Sequence, residues 1–116
     1  MEQTKEFMLL FSFDPSVAEN TATAGAVDSH RLWGEFIGQL AMQEKLVSTY
    51  QLKEEGVLLE ATGATHEGVG LADKKMIGGN MVVRVKSVAE AVEISRACPI
   101  LAMAGRVEIR EIQPMN

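Results

Sequence analysis

Lys5-Glu6-Phe7-Met8-Leu9-Leu10-Phe11-Ser12-Phe13 decides the architecture. Phe7, Leu9, Phe11 and Phe13 recur at every second position, the period of a β-strand. Met8 and Leu10 place apolar groups on the opposite side. A strand that is apolar on both sides has to be covered on both, so this one is expected in the middle of a sheet. Whatever covers its second side is the central question posed by the chain.

C-terminal to this strand, Asp14-Pro15 breaks the pattern, and Ser16 with Glu19 has capping-box spacing for a short helical turn. Asn20 to Gly25 is small and polar, and reads as loop or frayed helix. From about Val27 to Lys45 the period becomes helical. Trp33, Phe36, Ile37, Leu40 and Ala41 form one stripe, with Glu35, Gln39 and Gln43 opposite. Leu46–Leu52 and Val57–Ala64 are strand material joined through Lys53-Glu54-Glu55-Gly56, as one bent strand or a small hairpin. Thr65–Asp73 reads as a turn, and Gly78-Gly79 leads into a strand over Asn80–Val85. Ser87 and Glu90 have capping-box spacing and open a second helix to about Ala97, with Val88, Ala91, Val92 and Ser95 inward and Pro99 as its stop. The last strand is Arg106–Ile112.

The order β, α, β, β, α, β predicts an α+β fold. It is a ferredoxin-like βαββαβ protomer whose antiparallel sheet carries both helices on one face. At 116 residues this is one domain, 1–116. Two helices leave the other sheet face bare, with Met8 and Leu10 on it. Burying a side chain of that kind contributes about 1.5–3 kcal/mol, and the simplest cover is a second copy, so a homodimer is expected.

Composition narrows the function classes. Apolar residues make up 47% and charged residues 23%, the balance of a globular chain. The net charge of −5 disfavours nucleic acid as a partner. No apolar run is long enough to span a bilayer. Met1 to Glu6 lacks the basic start and apolar middle of a signal peptide, so a cytoplasmic protein is expected. Cys98 is the single cysteine and reads as a buried structural thiol.

Candidate chemistry is sparse. His30, one turn before Trp33, and His66, in the expected turn, are the candidate proton carriers, with Asp73 or Glu67 to orient them. Their spacing does not specify a metal site, the glycines form no dinucleotide fingerprint, and no cofactor is expected. Trp33 and Tyr50 are candidates to stack on a planar ligand, and Arg84, Arg106 and Arg110 to line a polar cavity on the bare face. Alternatively, Trp33 is core and the arginines are paired across strands with Glu108 and other acids.

Several segments together resemble a family. They are Trp33-Gly34-Glu35-Phe36-Ile37-Gly38-Gln39-Leu40, Lys45-Leu46-Val47 with Leu52 and Gly56-Val57, and Lys74 with Ile77-Gly78-Gly79. Ala91-Val92-Glu93-Ile94, Cys98-Pro99-Ile100-Leu101 and Gly105-Arg106-Val107-Glu108-Ile109-Arg110 complete the set. The chain is similar to the YCII-related proteins, in particular the DGPF-domain branch. The resemblance implies a dimeric α/β barrel built from ferredoxin-like protomers. Some relatives in the wider group are proposed to use a histidine–aspartate pair, and one branch performs dehydrochlorination of an aromatic ring. Here Trp33 stands near the position of that histidine, and Glu67-Gly68-Val69-Gly70 stands for the Asp-Gly-Pro-Phe motif. Three functions follow as expectations. The first is a homodimer holding a small organic molecule. The second is a lyase or isomerase using a histidine–carboxylate pair, and the third a regulatory protein-interaction module.

Overall fold

A computed structural model describes residues 3–71 and 74–115, with the side chains of residues 17–29 outside the description. The elements are β1 (Lys5–Phe13), α1 (Pro15–Met42), β2 (Leu46–Gln51), β3 (Val57–Leu59), β4 (Thr65–Glu67), β5 (Met76–Val85), α2 (Val88–Ser95), a 3-10 helix (Pro99–Met103) and β6 (Arg106–Glu111). The main sheet has the order β2-β5-β1-β6, and each of its pairings is antiparallel. With β3–β4 set aside as an insertion, this is the ferredoxin-like βαββαβ layout. β1 is central, as its two-sided apolar pattern requires.

The core lies on one face. Phe7, Leu9 and Phe11 of β1 and Met81, Val83 and Val85 of β5 are buried there with Phe36 and Leu40 of α1 and Ala91 of α2. Val107 and Ile109 of β6 and Leu46 of β2 close its sides. The molecule is 19 Å thick along its shortest axis, the depth of one sheet and one helix layer.

α1 differs from the sequence expectation at its start. It begins at Pro15, not near Val27, and runs 28 residues. Asp14 is the N-cap in place of the expected Ser16–Glu19 box, because its carboxylate accepts from the Ser16 N–H at 2.9 Å and from the Ser16 hydroxyl at 2.7 Å. Pro15 at the first helical position suits a helix start, since its missing N–H would have no partner there. The Asp-Pro pair was thus a start signal. α1 ends in a Schellman-type cap, with Lys45 N–H donating to Leu40 O and Glu44 N–H to Ala41 O. This puts Glu44 in the left-handed region at φ 60°. Ala41, expected in the apolar stripe, is exposed.

Further differences are local. β2 ends at Gln51, and β3 pairs with β4, not with β2. Thr65–Glu67 is therefore a strand, where a turn was expected. α2 has the expected cap, with Ser87 Oγ accepting from Glu90 N–H at 3.2 Å. It ends at Ser95, and Val88 faces outward. Pro99 ends no helix but opens the 3-10 helix. After that helix Gly105 crosses so close to the sheet that a Cβ there would lie 2.5 Å from Ser12 O. No helix of the described residues is long and apolar enough to cross a membrane.

Candidate functional site

Strand alternation leaves one sheet face without helices. The register aligns its residues in rows: Ser48, Val82, Met8 and Arg110 in one, Tyr50, Asn80, Leu10 and Glu108 in the next. Arg84 stands opposite Glu6 in a third row, and Arg106 opposite Ser12 in a fourth. Met8, Leu10 and Val82 thus form an apolar strip on the two central strands, and polar residues frame it. All three remain partly accessible, whereas their neighbours in sequence, Leu9 and Val83, have no accessible surface.

The frame is held by short-range pairing. Arg84 Nη2 donates to Glu6 Oε2 at 2.9 Å across the strands. Arg110 Nη1 lies 4.0 Å from Glu108 Oε2 along β6. These are the cross-strand and same-strand charge pairs of an exposed sheet, each contributing under about 1 kcal/mol. Both pairs are open to solvent on their outer side. Thr49 Oγ1 donates to Asn80 O at 3.0 Å and so ties the edge strand β2 to β5.

The sequence candidates separate into groups. Tyr50, Arg84, Arg106 and Arg110 share the open face. Trp33 does not join them. Its ring packs edge-on against Phe11 at 5.2 Å and Phe36 at 6.1 Å, on the helix side of the sheet. Trp33 and Tyr50 lie on opposite sides of the sheet, so they cannot stack on one ligand within a single chain, and Trp33 is a core residue. His30 is exposed on α1 and His66 exposed on β4, opposite Leu58. Glu67 follows His66 on the strand and so points to the other side of the ribbon. Among the described residues neither histidine side chain takes part in a hydrogen bond or ion pair, and no group of three or more histidine, cysteine or acidic residues is placed to hold a metal ion. Asp73 lies outside the described residues.

Cys98 is buried, and burial pushes its thiol pKa up to about 11, against the smaller opposing effect of its hydrogen bond with the Ile100 backbone. It is a protonated packing group at neutral pH.

A cleft of about 210 Å³ lies at the end of the sheet, lined by Gln43, Lys45, Arg84, Lys86 and Glu90. Of its two acids, Glu44 and Glu90, the second is occupied in holding the fold. Glu90 accepts the Lys86 backbone N–H at 2.9 Å and lies 3.2 Å from Lys45 Nζ. The Lys86 bond, ahead of the Lys45 contacts and against partial burial, holds its pKa below the ordinary carboxylate value. Sequence spacing marks Glu90 as a cap, but the Lys45 contact joins the end of α1 to α2 and has no local signal. Glu6, Ser48 and Asn80 of the open face were not singled out from sequence, although extending the period-2 alternation to β2 and β5 points to them.

The segment from Gly38 to Asn116 matches the YCII-related domain. The chain belongs to the YCII-related family. The match begins near the end of α1 and contains β2, β5 and β6 with Tyr50, Arg84, Arg106 and Arg110. β1, which carries the apolar centre of the open face, precedes it. No curated protein matches the chain.

Proposed function

We propose that this YCII-related protein is a homodimer whose open sheet faces close on each other and hold a small organic molecule between them. The carrying observation is the strip of Met8, Leu10 and Val82, side by side on central strands of a sheet face that no helix covers. Each such side chain gains about 1.5–3 kcal/mol when water is excluded. A second copy related by a twofold axis supplies a matching strip.

The frame around the strip favours a ligand in the same space. Tyr50 offers a flat ring that is 66% exposed. Arg84, Arg106 and Arg110 offer guanidinium groups, which bind carboxylate or phosphate oxygens through paired N–H donors. Twofold symmetry doubles each of them. A planar or aliphatic organic acid fits this combination better than a neutral or cationic compound.

The test is thermal denaturation against a panel of small organic carboxylates, sulfonates and phosphates, with native mass spectrometry of protein purified directly from cells. The expected result is a mass increment of one small acid, or a stabilising acid in the panel, with the effect lost in Arg110→Ala and the dimer retained. No increment and no stabilisation across the panel would contradict ligand binding.

A further inference from the structure

The insertion between β2 and β5 behaves unlike the rest of the chain. β3 and β4 pair with each other, and Gly68 N–H donates to Gly56 O at 2.7 Å, so the ribbon is internally bonded. It packs on little else of the protein. Val57 and Leu59 on one side are 69% and 68% exposed, and Leu58 on the other is 43% exposed. Val69 and Leu71 beyond β4 are exposed as well. A lone two-stranded ribbon is marginal in water. A consecutive Val-Leu-Leu run gives such a ribbon nothing to gain from standing in solvent. The Cα radius of gyration is 15.7 Å, against about 13 Å for a compact chain of this length, and a projecting ribbon and the 28-residue α1 both contribute to the excess.

We infer that residues 53–71 form an arm that docks on the open sheet face of a second copy of this chain. The inference rests on the face-to-face pairing proposed above and extends it. Area is the first argument. A four-stranded sheet face with strands of six to ten residues covers roughly 500 Å² in projection, short of the roughly 800 Å² of surface that each partner contributes to a standard stable interface. The arm supplies the missing apolar surface. It leaves the sheet at edge strand β2, just after Tyr50, and so starts at the rim of the open face. Charge is the second argument. The chain carries a net charge of −5, so two copies repel unless acids of one meet cations of the other. The arm concentrates acid, with Glu54, Glu55, Glu60 and Glu67 against Lys53 alone, while the open face, with Arg84, Arg106 and Arg110 against Glu6 and Glu108, keeps a net positive charge. In the dimer the arm closes the ligand space at its edge, and His66 arrives with it beside the partner's face.

The test uses two populations of the full chain. One carries a nitroxide on Leu59→Cys, with Cys98 buried and unreactive; the other is unlabelled wild type enriched in nitrogen-15. After mixing with a large excess of the labelled chain and subunit exchange, nearly every wild-type copy has a labelled partner and only the wild-type copy is seen by NMR. The expected result is loss of more than half the amide intensity in its β1, β5 and β6, reproduced with the label on Thr65→Cys. Sedimentation of the mixture separates the failures. A dimer whose β1, β5 and β6 amides keep full intensity, or lose it only within residues 53–71, overturns the arm's placement and leaves face pairing intact. A monomer overturns both. As a second measurement, Val57→Asp with Leu59→Asp should raise the dimer dissociation constant at least tenfold at unchanged far-UV circular dichroism. An unchanged constant would contradict the inference.

Discussion

The two faces of the sheet differ by one position in the chain. In β1, Phe7, Leu9 and Phe11 are buried under α1 and α2, while Met8 and Leu10, made of the same kind of side chain, have no helix over them. The closed face is complete within one protomer and includes an edge-on aromatic cluster of Phe11, Trp33 and Phe36. The open face mixes the apolar strip with Arg84–Glu6 and Arg110–Glu108 pairs that stay hydrated on one side. The closed face thus stabilises the fold within one protomer, and the open face is the surface proposed above to pair. Substitutions on alternate residues of one strand should therefore report on different properties.

The largest expected effect is on the closed face. Leu9→Ala removes a fully buried side chain and should lower unfolding stability by about 2–5 kcal/mol, read by urea denaturation. A loss under 1 kcal/mol would mean that the two faces do not differ in their contribution to stability. Leu10→Glu should do the reverse. It places a charge in the pairing surface and should weaken dimerisation by about a hundredfold or more, equivalent to about 2.7 kcal/mol, with native-like circular dichroism. Sedimentation of the variant checks it, and an unchanged dimer would move the contact elsewhere.

Smaller effects sharpen the contrast between structural and functional charges. Glu90→Gln should cost roughly 1 kcal/mol by weakening the cap of α2, without altering dimerisation. Because the pKa of Glu90 is lower folded than unfolded, its ionised form stabilises the native state. That contribution is full above the unfolded pKa near 4.3, and it is lost as pH falls through the lower folded value. The wild type and Glu90→Gln should therefore converge in stability in acid and diverge toward neutrality; parallel pH profiles would contradict the assignment. Smallest of all, Glu44→Gly should raise stability by about 0.5 kcal/mol, since φ 60° suits glycine. A decrease would mean that the Glu44 side chain holds the cap together.

Legibility in the sequence followed the range of the interactions. β1, the stripe Trp33–Phe36–Ile37–Leu40 and the Ser87–Glu90 cap are local patterns, and they were readable. The start of α1 was misread because Asp14-Pro15 serves equally as a breaker and as an N-cap followed by N1, and the polar Asn20–Gly25 run has low helix propensity that the structure overrides. The β3–β4 ribbon was missed because its pairing partner, Thr65-His66-Glu67, lacks any apolar alternation and resembles a turn. For the site, strand patterning pointed some of Arg84, Arg106, Glu108 and Arg110 to the open face, and the register adds Tyr50 to it. Trp33 was drawn toward a ligand by residue type alone, and only the fold shows that the sheet separates it from Tyr50.

Sedimentation equilibrium of the wild-type chain at micromolar concentration tests the pairing of open faces most directly. Paired open faces give a particle of twice the 12.6 kDa chain mass, converted to a single chain by Leu10→Glu. A stable 12.6 kDa species for the wild type would contradict it.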